Sequence, residues 1–407
     1  MRTLDIAIAG AGPAGLAAAL FLAEAGHRVT ILERFEAPRP LGSGLILQPT
    51  GLSVLARLGL LERILALGAR IDRLVGHEVE RGRTVLDARY GRRRAGARFG
   101  LAVHRAALFN VLYEAVRERG IAVETGIEVA GFEPASGGGF VLDARGRRHG
   151  PFALVVDASG ARSPLRSYLS DGKGGTELAY GAIWATLRWA GGFDPHALTQ
   201  AYERARVMIG ILPIGRQRPG DDEEAAFFWS LKVADHAALV DGGISAWKAR
   251  VLGLWPEAEP YLAQVDDFDR FVLARYRHHT LARPFREGLV AIGDCAHSTS
   301  PQLGQGANMA LIDAAALASA LDCHDDLSDA LSAYAAMRRR HVRLYQALSA
   351  VFTPFYQSDS AILPLLRDRL VPALARIPPG PQILSAIVSG FLVDPLKPVG
   401  IAEPDWR

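Results

Sequence analysis

Apolar positions along the chain change their spacing several times. Residues 4–9 (LDIAIA) form a short continuous apolar run, 14–25 a run of small residues with helical spacing, and 27–34 (HRVTILER) a second strand pattern ending in Glu33. This order predicts a βαβ unit. After glycines at Gly42 and Gly44, the stretches PTGLSVLARLGLLERILALG and VHRAALFNVLYEAVRERG carry helical periodicity, the second leading into IAVETG. FALVVDASG, at 152–160, is a buried-strand pattern stopped by a turn. From about 176 to 280 the texture becomes alternating and aromatic-rich (AYGAIWATLRWAG, RVMIGILPIG, AAFFWSLKV), which predicts a half-exposed mixed or antiparallel sheet. The strand at 289–293 and the helix after Gly306 return to the first texture. The tail from about 328 predicts helices cut into pieces by Pro354, Pro364, Pro372, Pro378, Pro379 and Pro381.

The expected architecture is therefore α/β: a Rossmann-like domain from 1–72, 98–175 and 281–345, a β-sheet domain from 73–97 and 176–280, and a C-terminal helical segment from 346–407. Composition narrows the class. The 407 residues are 49% hydrophobic, and the net charge is +3. The cations are nearly all arginine, with lysine only at Lys173, Lys232, Lys248 and Lys397, so no basic tail points to nucleic acid. Arg92-Arg93-Arg94 reads as a solvated turn. Cys295 and Cys323 form neither a CxxC motif nor a disulfide framework, which places the expected compartment in the cytosol. No segment has about 20 uninterrupted apolar residues, the length of a membrane span; PQILSAIVSGFLV near the end is expected to pack on the body of the protein.

GAGPAG at 10–15 is GxGxxG between a strand and a helix. Gly10 permits the tight turn, Gly12 lets backbone approach a pyrophosphate, and Gly15 allows close helix packing, with Pro13 and Ala14 opening the helix. Glu33, with Arg34 beside it, ends the next strand where a ribose hydroxyl would lie. The pattern indicates an ADP-containing dinucleotide but fits NAD and FAD equally. The choice comes from LVAIGDCAHSTSPQLGQGANMALIDA, 289–314, a second strand-Gly-Asp-helix unit. FAD needs such a second junction for its ribityl chain and ring. Gly293 makes the turn, Asp294 suits a ribityl hydroxyl, and the helix N-terminus after Gly304–Gly306 suits negative charge on the reduced ring. The alternative for Asp294 alone is a helix cap, which leaves Pro301, Gly304, Gly306 and Asn308 unexplained.

With these residues the chain resembles the single-component FAD-dependent aromatic hydroxylases of the para-hydroxybenzoate hydroxylase type. The resemblance rests on GAGPAG with Glu33, on Arg105 in VHRAAL, and on GDCAHSTSPQLGQGANMALID. It implies that Asp294 holds the ribityl chain, that Pro301 sits beside the ring, that Gly304, Gln305, Gly306, Ala307 and Asn308 line the flavin, and that Arg105 lies near the pyrophosphate or ribityl. Asp313 on the following helix is expected to be structural. The chain departs from the pattern at VVDASGARSPLR, where Ser159 stands in place of an aspartate that the family ties to FAD and NADPH binding; Gly160, Ser163 and Arg166 fit, and Asp157 is the candidate substitute.

The resemblance further implies a monooxygenase that uses NAD(P)H as a transient reductant and O2, by way of a flavin C4a-hydroperoxide, to hydroxylate or epoxidise an aromatic or polycyclic small molecule, as a monomer or homodimer. Alternatives are a saturase- or cyclase-type flavoprotein, a halogenase, and a non-catalytic FAD-binding redox sensor. Halogenases use an early lysine and a Trp-x-Trp-x-Ile-Pro segment; here the first lysine is Lys173 and that segment is absent. Substrate contacts are expected among Tyr180, Trp184, Tyr202, Met208, Pro213, Phe228 and Trp229, although alternation places about half of such a set on the wrong face. His297 is the candidate proton shuttle, with a backbone-bonded loop histidine as its plainer role. His278 and His279 are expected at solvent or the domain junction, with no further ligands for a metal.

Overall fold

The computed structural model describes residues 3–38, 42–93, 96–170 and 175–406. Lys173 and Arg94 lie outside them. Its first layer is a six-stranded sheet. Ala122–Glu124, Arg28–Leu32, Asp5–Ala9, Leu154–Asp157 and Leu289–Ala291 run parallel in that spatial order, with Phe285–Arg286 antiparallel at the edge. The uninterrupted apolar character of Asp5–Ala9 follows from burial on both faces: Ile6 and Ile8 join one core cluster, Ala7 and Ala9 another. Helices Pro13–Glu24 and Gly306–Cys323 pack against each other on one face. Their small residues allow close approach, and Arg105–Glu118 completes that layer.

The second layer is a seven-stranded sheet, ordered Val272–His278, Thr176–Arg188, Glu224–Lys232, Val207–Gly215, Ala197–Glu203, Arg73–Glu78, Thr84–Arg89. All neighbours are antiparallel except Ala197–Glu203 with Arg73–Glu78. The expectation of half-exposed strands is corrected here, because Val207–Gly215 is buried at every position. One face is covered by helix Ile244–Leu254, through Trp247 and Val251. The opposite face is covered by Phe352, Phe355 and Tyr356 of helix Leu327–Tyr356 and by Val388. A three-stranded sheet of Gly44–Leu47, Gly100–His104 and Ala69–Ile71 joins the layers.

The prolines of the tail cut it less than expected. Pro354 and Pro372 lie inside helices Leu327–Tyr356 and Ile362–Arg376, and Pro364 falls in the first turns of the latter. A proline near a helix end costs few ladder bonds. Chain breaks occur instead at 357–361 and before Gly380–Ser389. The last residues fold back on the first layer, where Arg98 makes a two-pronged ion pair with Glu403 at 2.6 and 2.7 Å and Phe99 meets Trp406 edge to face. Among the described residues, no helix is long and apolar enough to cross a membrane.

Candidate active site

The first loop has the geometry its glycines suggest. Gly10 adopts φ +102°, donates its N–H to the Leu32 carbonyl at 2.9 Å, and leaves no room for a β-carbon, which would fall 2.8 Å from the Ala158 carbonyl oxygen. At Gly15 a β-carbon would lie 2.0 Å from the Gly10 carbonyl oxygen, so the helix packs at glycine distance. At Gly12 it would meet nothing within 4 Å, so the backbone there is open. Pro13 occupies the first helical turn, Ala14 is buried, and no side chain caps the helix. Its free N–H groups and positive dipole end remain available to an anion. The Glu33 carboxylate closes the loop, accepting from Ala11 N at 2.6 Å and Phe35 N at 3.2 Å, while Arg34 is exposed beside it.

The second half is the turn after Leu289–Ala291. Gly293, at φ +62°, fits against both helices: a β-carbon would meet those of Ala14 at 3.1 Å and Ala310 at 3.3 Å. Asp294 is the exposed residue of an otherwise buried turn. It opens into a cleft whose walls still strip its carboxyl of solvent and raise its pKa, against the pull of His297 and Arg105. Gly306 lies beside it, its β-carbon position 3.9 Å from Asp294 Oδ1. Pro301 is exposed at the start of a short turn ending in Gly304 at φ +60°. Helix Gly306–Cys323 has no side-chain cap at Gln305, and Ala307 is half-buried in its first turn. Arg105 is exposed across the cleft, its side chain against Gly42.

Several of these residues hold the loop rather than face the cleft. Asn308 is fully buried; its Oδ1 accepts from Gln48 N at 2.8 Å and its Nδ2 donates to Gly304 O at 2.9 Å and Ile46 O at 3.2 Å. Gln305 Nε2 donates to Val388 O at 3.0 Å. Ser300 Oγ meets Thr353 Oγ1, and Thr299 Oγ1 donates to Ser349 Oγ, each at 2.6 Å. His297 also belongs to this set, a placement unlike that of a free proton shuttle. It is buried, with Nε2 at 2.6 Å from Asp313 Oδ2. Asp313 further accepts from Arg338 Nε at 2.6 Å and from Gly293 N at 2.8 Å. Burial alone would raise the Asp313 carboxyl, yet His297 and Arg338 hold it well below the usual carboxylate range. His279 lies buried at the junction, its N–H on Ser298 O at 3.0 Å.

The departure at Ser159 has a structural answer. Asp157, fully buried at its strand end, accepts from Ser159 Oγ at 2.6 Å, from Ser163 Oγ, and from Cys295 Sγ at 2.7 Å. Asp157 thus ties the Ser159 turn to Cys295 beside Asp294. Burial and Asp157 push the Cys295 thiol up, so it stays protonated and donates. No motif in the sequence marks Cys295, Arg338, Gln48 or Tyr90, whose hydroxyl donates to Gln48 Oε1 at 2.6 Å; isolated polar residues far apart in the chain carry no local signal.

The aromatic candidates separate by face. Trp184, Tyr202 and Met208 lie with Phe228 on the interior face, toward the C-terminal helices. Trp184 packs against Phe228 with ring centroids 4.6 Å apart and planes tilted by 35°, and donates Nε1 to Tyr276 Oη at 3.0 Å. Trp229 lies on the opposite face with Trp247, and alternation places Pro213 with Ile209 and Ile211 on that same face. Leu212 and Ile214, on the interior face, pack against Gly44 of strand Gly44–Leu47. Tyr180 sits at the sheet end, its hydroxyl on Asp359 Oδ1 at 3.0 Å.

An open backbone at Gly12, two uncapped helix ends and a carboxyl facing the cleft between them fit an FAD molecule lying across both halves. The comparisons agree. The family model described as "FAD binding domain" matches residues 3–348, and the chain belongs to that family. It is 29% identical over 401 residues to 6-methylpretetramide 4-monooxygenase of Streptomyces rimosus, covering 95% of this chain and 92% of that protein. It is 30% identical to phenazine 1,6-dicarboxylic acid hydroxylase of Lysobacter antibioticus, covering 82% of this chain and 86% of that protein. The fold matches 2-methyl-3-hydroxypyridine-5-carboxylic acid oxygenase with a TM-score of 0.78 at 20% identity over 100% of both chains. The protein is an FAD-dependent monooxygenase of the aromatic hydroxylase type.

Proposed function

We propose that this chain uses NAD(P)H and O2 to insert one oxygen atom into an aromatic or polycyclic small molecule, by hydroxylation or epoxidation. The carrying observation is the run of contacts from Arg105, which acts on the Asp294 carboxyl, through Gly42 against the Arg105 side chain to Gly44, packed against Ile214 and Leu212 of the seven-stranded sheet. Bound FAD, once reduced, supplies the activation of O2. Everything else falls to the chain. The Gly10–Gly15 backbone and helix end would bind the pyrophosphate, Glu33 the ribose, and Asp294 the ribityl chain, with Arg105 across the cleft. The open N-terminus of Gly306–Cys323 would stabilise negative charge on the reduced ring. Leu212, Ile214, Trp184 and Phe228 would orient the aromatic substrate and exclude water, which otherwise diverts oxygen to peroxide.

The test is direct. The purified protein should be yellow, and NAD(P)H oxidation should accelerate with an aromatic acid, phenol or polycyclic compound that gains the mass of one oxygen atom. A colourless protein that acquires no flavin absorbance on adding FAD, or NAD(P)H oxidation indifferent to every aromatic tried, would overturn the proposal.

A further inference from the structure

The C-terminal layer turns an apolar helix face toward solvent. Helix Ile362–Arg376 packs on strand Thr84–Arg89 and on helix Gly380–Ser389. Its inner face buries the Arg367 side chain completely, with Nε donating to Asp368 Oδ1 at 2.7 Å. Its outer face leaves Ile362 67% exposed, Leu365 58%, Leu366 42% and Leu370 53%, with Arg369 among them and Arg376 beyond. The spacing i, i+3, i+4, i+7, i+8 and i+14 places all six on one stripe. Exposed Ile377 and Ile383 carry the patch past the helix end. Six of the nine large apolar side chains exposed among the described residues thus lie within 362–383. Scattered exposure is ordinary, but a concentrated patch marks a surface that something covers.

The charge around the patch has one sign. From residue 330 to 393 the only acids are Asp359 and Asp368. Asp359 is held by Lys232 at 2.8 Å and Asp368 by Arg367. Arg369 and Arg376, with Arg339, Arg340 and Arg343 on the preceding helix, are exposed and form no ion pair among the described residues. A second copy of the chain is a poor cover for this face, because symmetric docking would set arginines against one another with no acid to receive them. Protein interfaces bring aromatic side chains and a rim of hydrogen-bonding groups; the stripe offers aliphatic side chains and arginine. That pairing suits the boundary between lipid headgroups and acyl chains, where the apolar groups leave water and each guanidinium meets a phosphate. At 15 residues the helix is too short to span a bilayer.

We propose that helix Ile362–Arg376 docks the protein on the surface of an anionic lipid bilayer, lying parallel to it with the Ile362–Leu370 stripe at the headgroup boundary. The docking uses no residue of the cofactor cleft and is independent of the oxygenation reading.

Vesicle flotation of the FAD-loaded protein tests it. The protein should float with phosphatidylcholine and phosphatidylserine mixed at about 2:1, and bind phosphatidylcholine alone about tenfold or more weaker. Salt at about 0.5 M should weaken the binding to mixed vesicles. Arg369→Gln with Arg376→Gln should cost about tenfold or more on mixed vesicles, roughly fivefold per arginine, and little on neutral ones. Leu365→Ser with Leu370→Ser should cost about tenfold or more on both. All four side chains face solvent, so both double variants should keep the wild-type flavin content and thermal midpoint. Equal affinity for the two vesicle types, or variants that float as the wild type does, would overturn the proposal. So would a protein that ignores both vesicles. Sedimentation then assigns the face to a second copy if the wild type is dimeric and the double serine variant monomeric, and to a protein partner if both are monomeric.

Discussion

A β-carbon at Gly12 would meet nothing within 4 Å, whereas one at Gly15 would fall 2.0 Å from the Gly10 carbonyl oxygen. Gly12 also has an ordinary extended backbone, φ −69° and ψ 176°, which any residue adopts. The two substitutions should therefore separate binding from folding. Gly12→Val should fold with a thermal midpoint near that of the wild-type apoprotein and retain about tenfold less flavin, because the side chain fills the space a pyrophosphate would occupy. Gly15→Ala forces helix and loop apart and should cost about 1–3 kcal/mol even without cofactor. Flavin-to-protein absorbance ratios and apoprotein melts check both. A Gly12→Val protein that keeps its flavin would sink this account of the first loop.

At the scale of elements, two strand-turn-helix junctions are held in register by buried polar hubs. Asp157 joins the Ser159 turn to Cys295, and Asp313 joins Gly293, His297 and Arg338. Removing the charge of Asp313 leaves a guanidinium buried without its counter-ion, so Asp313→Asn should destabilise the protein by about 3–5 kcal/mol. It should also loosen the Asp294 turn. Denaturant unfolding measures the first effect and FAD affinity the second; a loss of stability below about 1 kcal/mol would show that the hub is solvated. The spacing of glycines and the Gly-Asp pair made both junctions legible in the sequence. The hubs were not legible, since Arg338 and Asp157 reach the second junction only through folding.

For the whole molecule, the C-terminal helices bind the cofactor loops to the substrate-side sheet, and histidines sit in that seam. Burial first, then the neighbouring Arg338, drives the His341 pKa down to about 3; burial, then Arg166 and Arg277, takes that of His279 down to about 4. Both are depressed below the ordinary value of about 6.5, so the folded protein keeps them neutral while the unfolded chain takes up protons first. Stability is complete above about pH 6.5 and falls as the pH drops from there toward 4, by up to about 1.4 kcal/mol per pH unit for each histidine. Unfolding midpoints at pH 7, 6 and 5 should fall accordingly. His341→Gln, which keeps a donor for the Gly390 carbonyl, should flatten the dependence; an unchanged slope would remove His341 from it.

The local sequence determined the cofactor, because a strand, a glycine turn and a helix end are specified within about 25 contiguous residues by backbone sterics and hydrophobic period. It also set the α/β architecture and the aromatic character of the second sheet. Only the tertiary structure decided which face of that sheet is inward. Trp184 and Phe228 line the interior while Trp229 packs outward with Trp247, a choice alternation leaves open because both faces are apolar. The same holds for Asp157 bound to Ser159 and Cys295, for His297 under Asp313, and for Arg367 over Tyr202. Each partnership joins side chains whose meeting depends on how the layers pack, and a periodic pattern read along the chain carries no record of that contact.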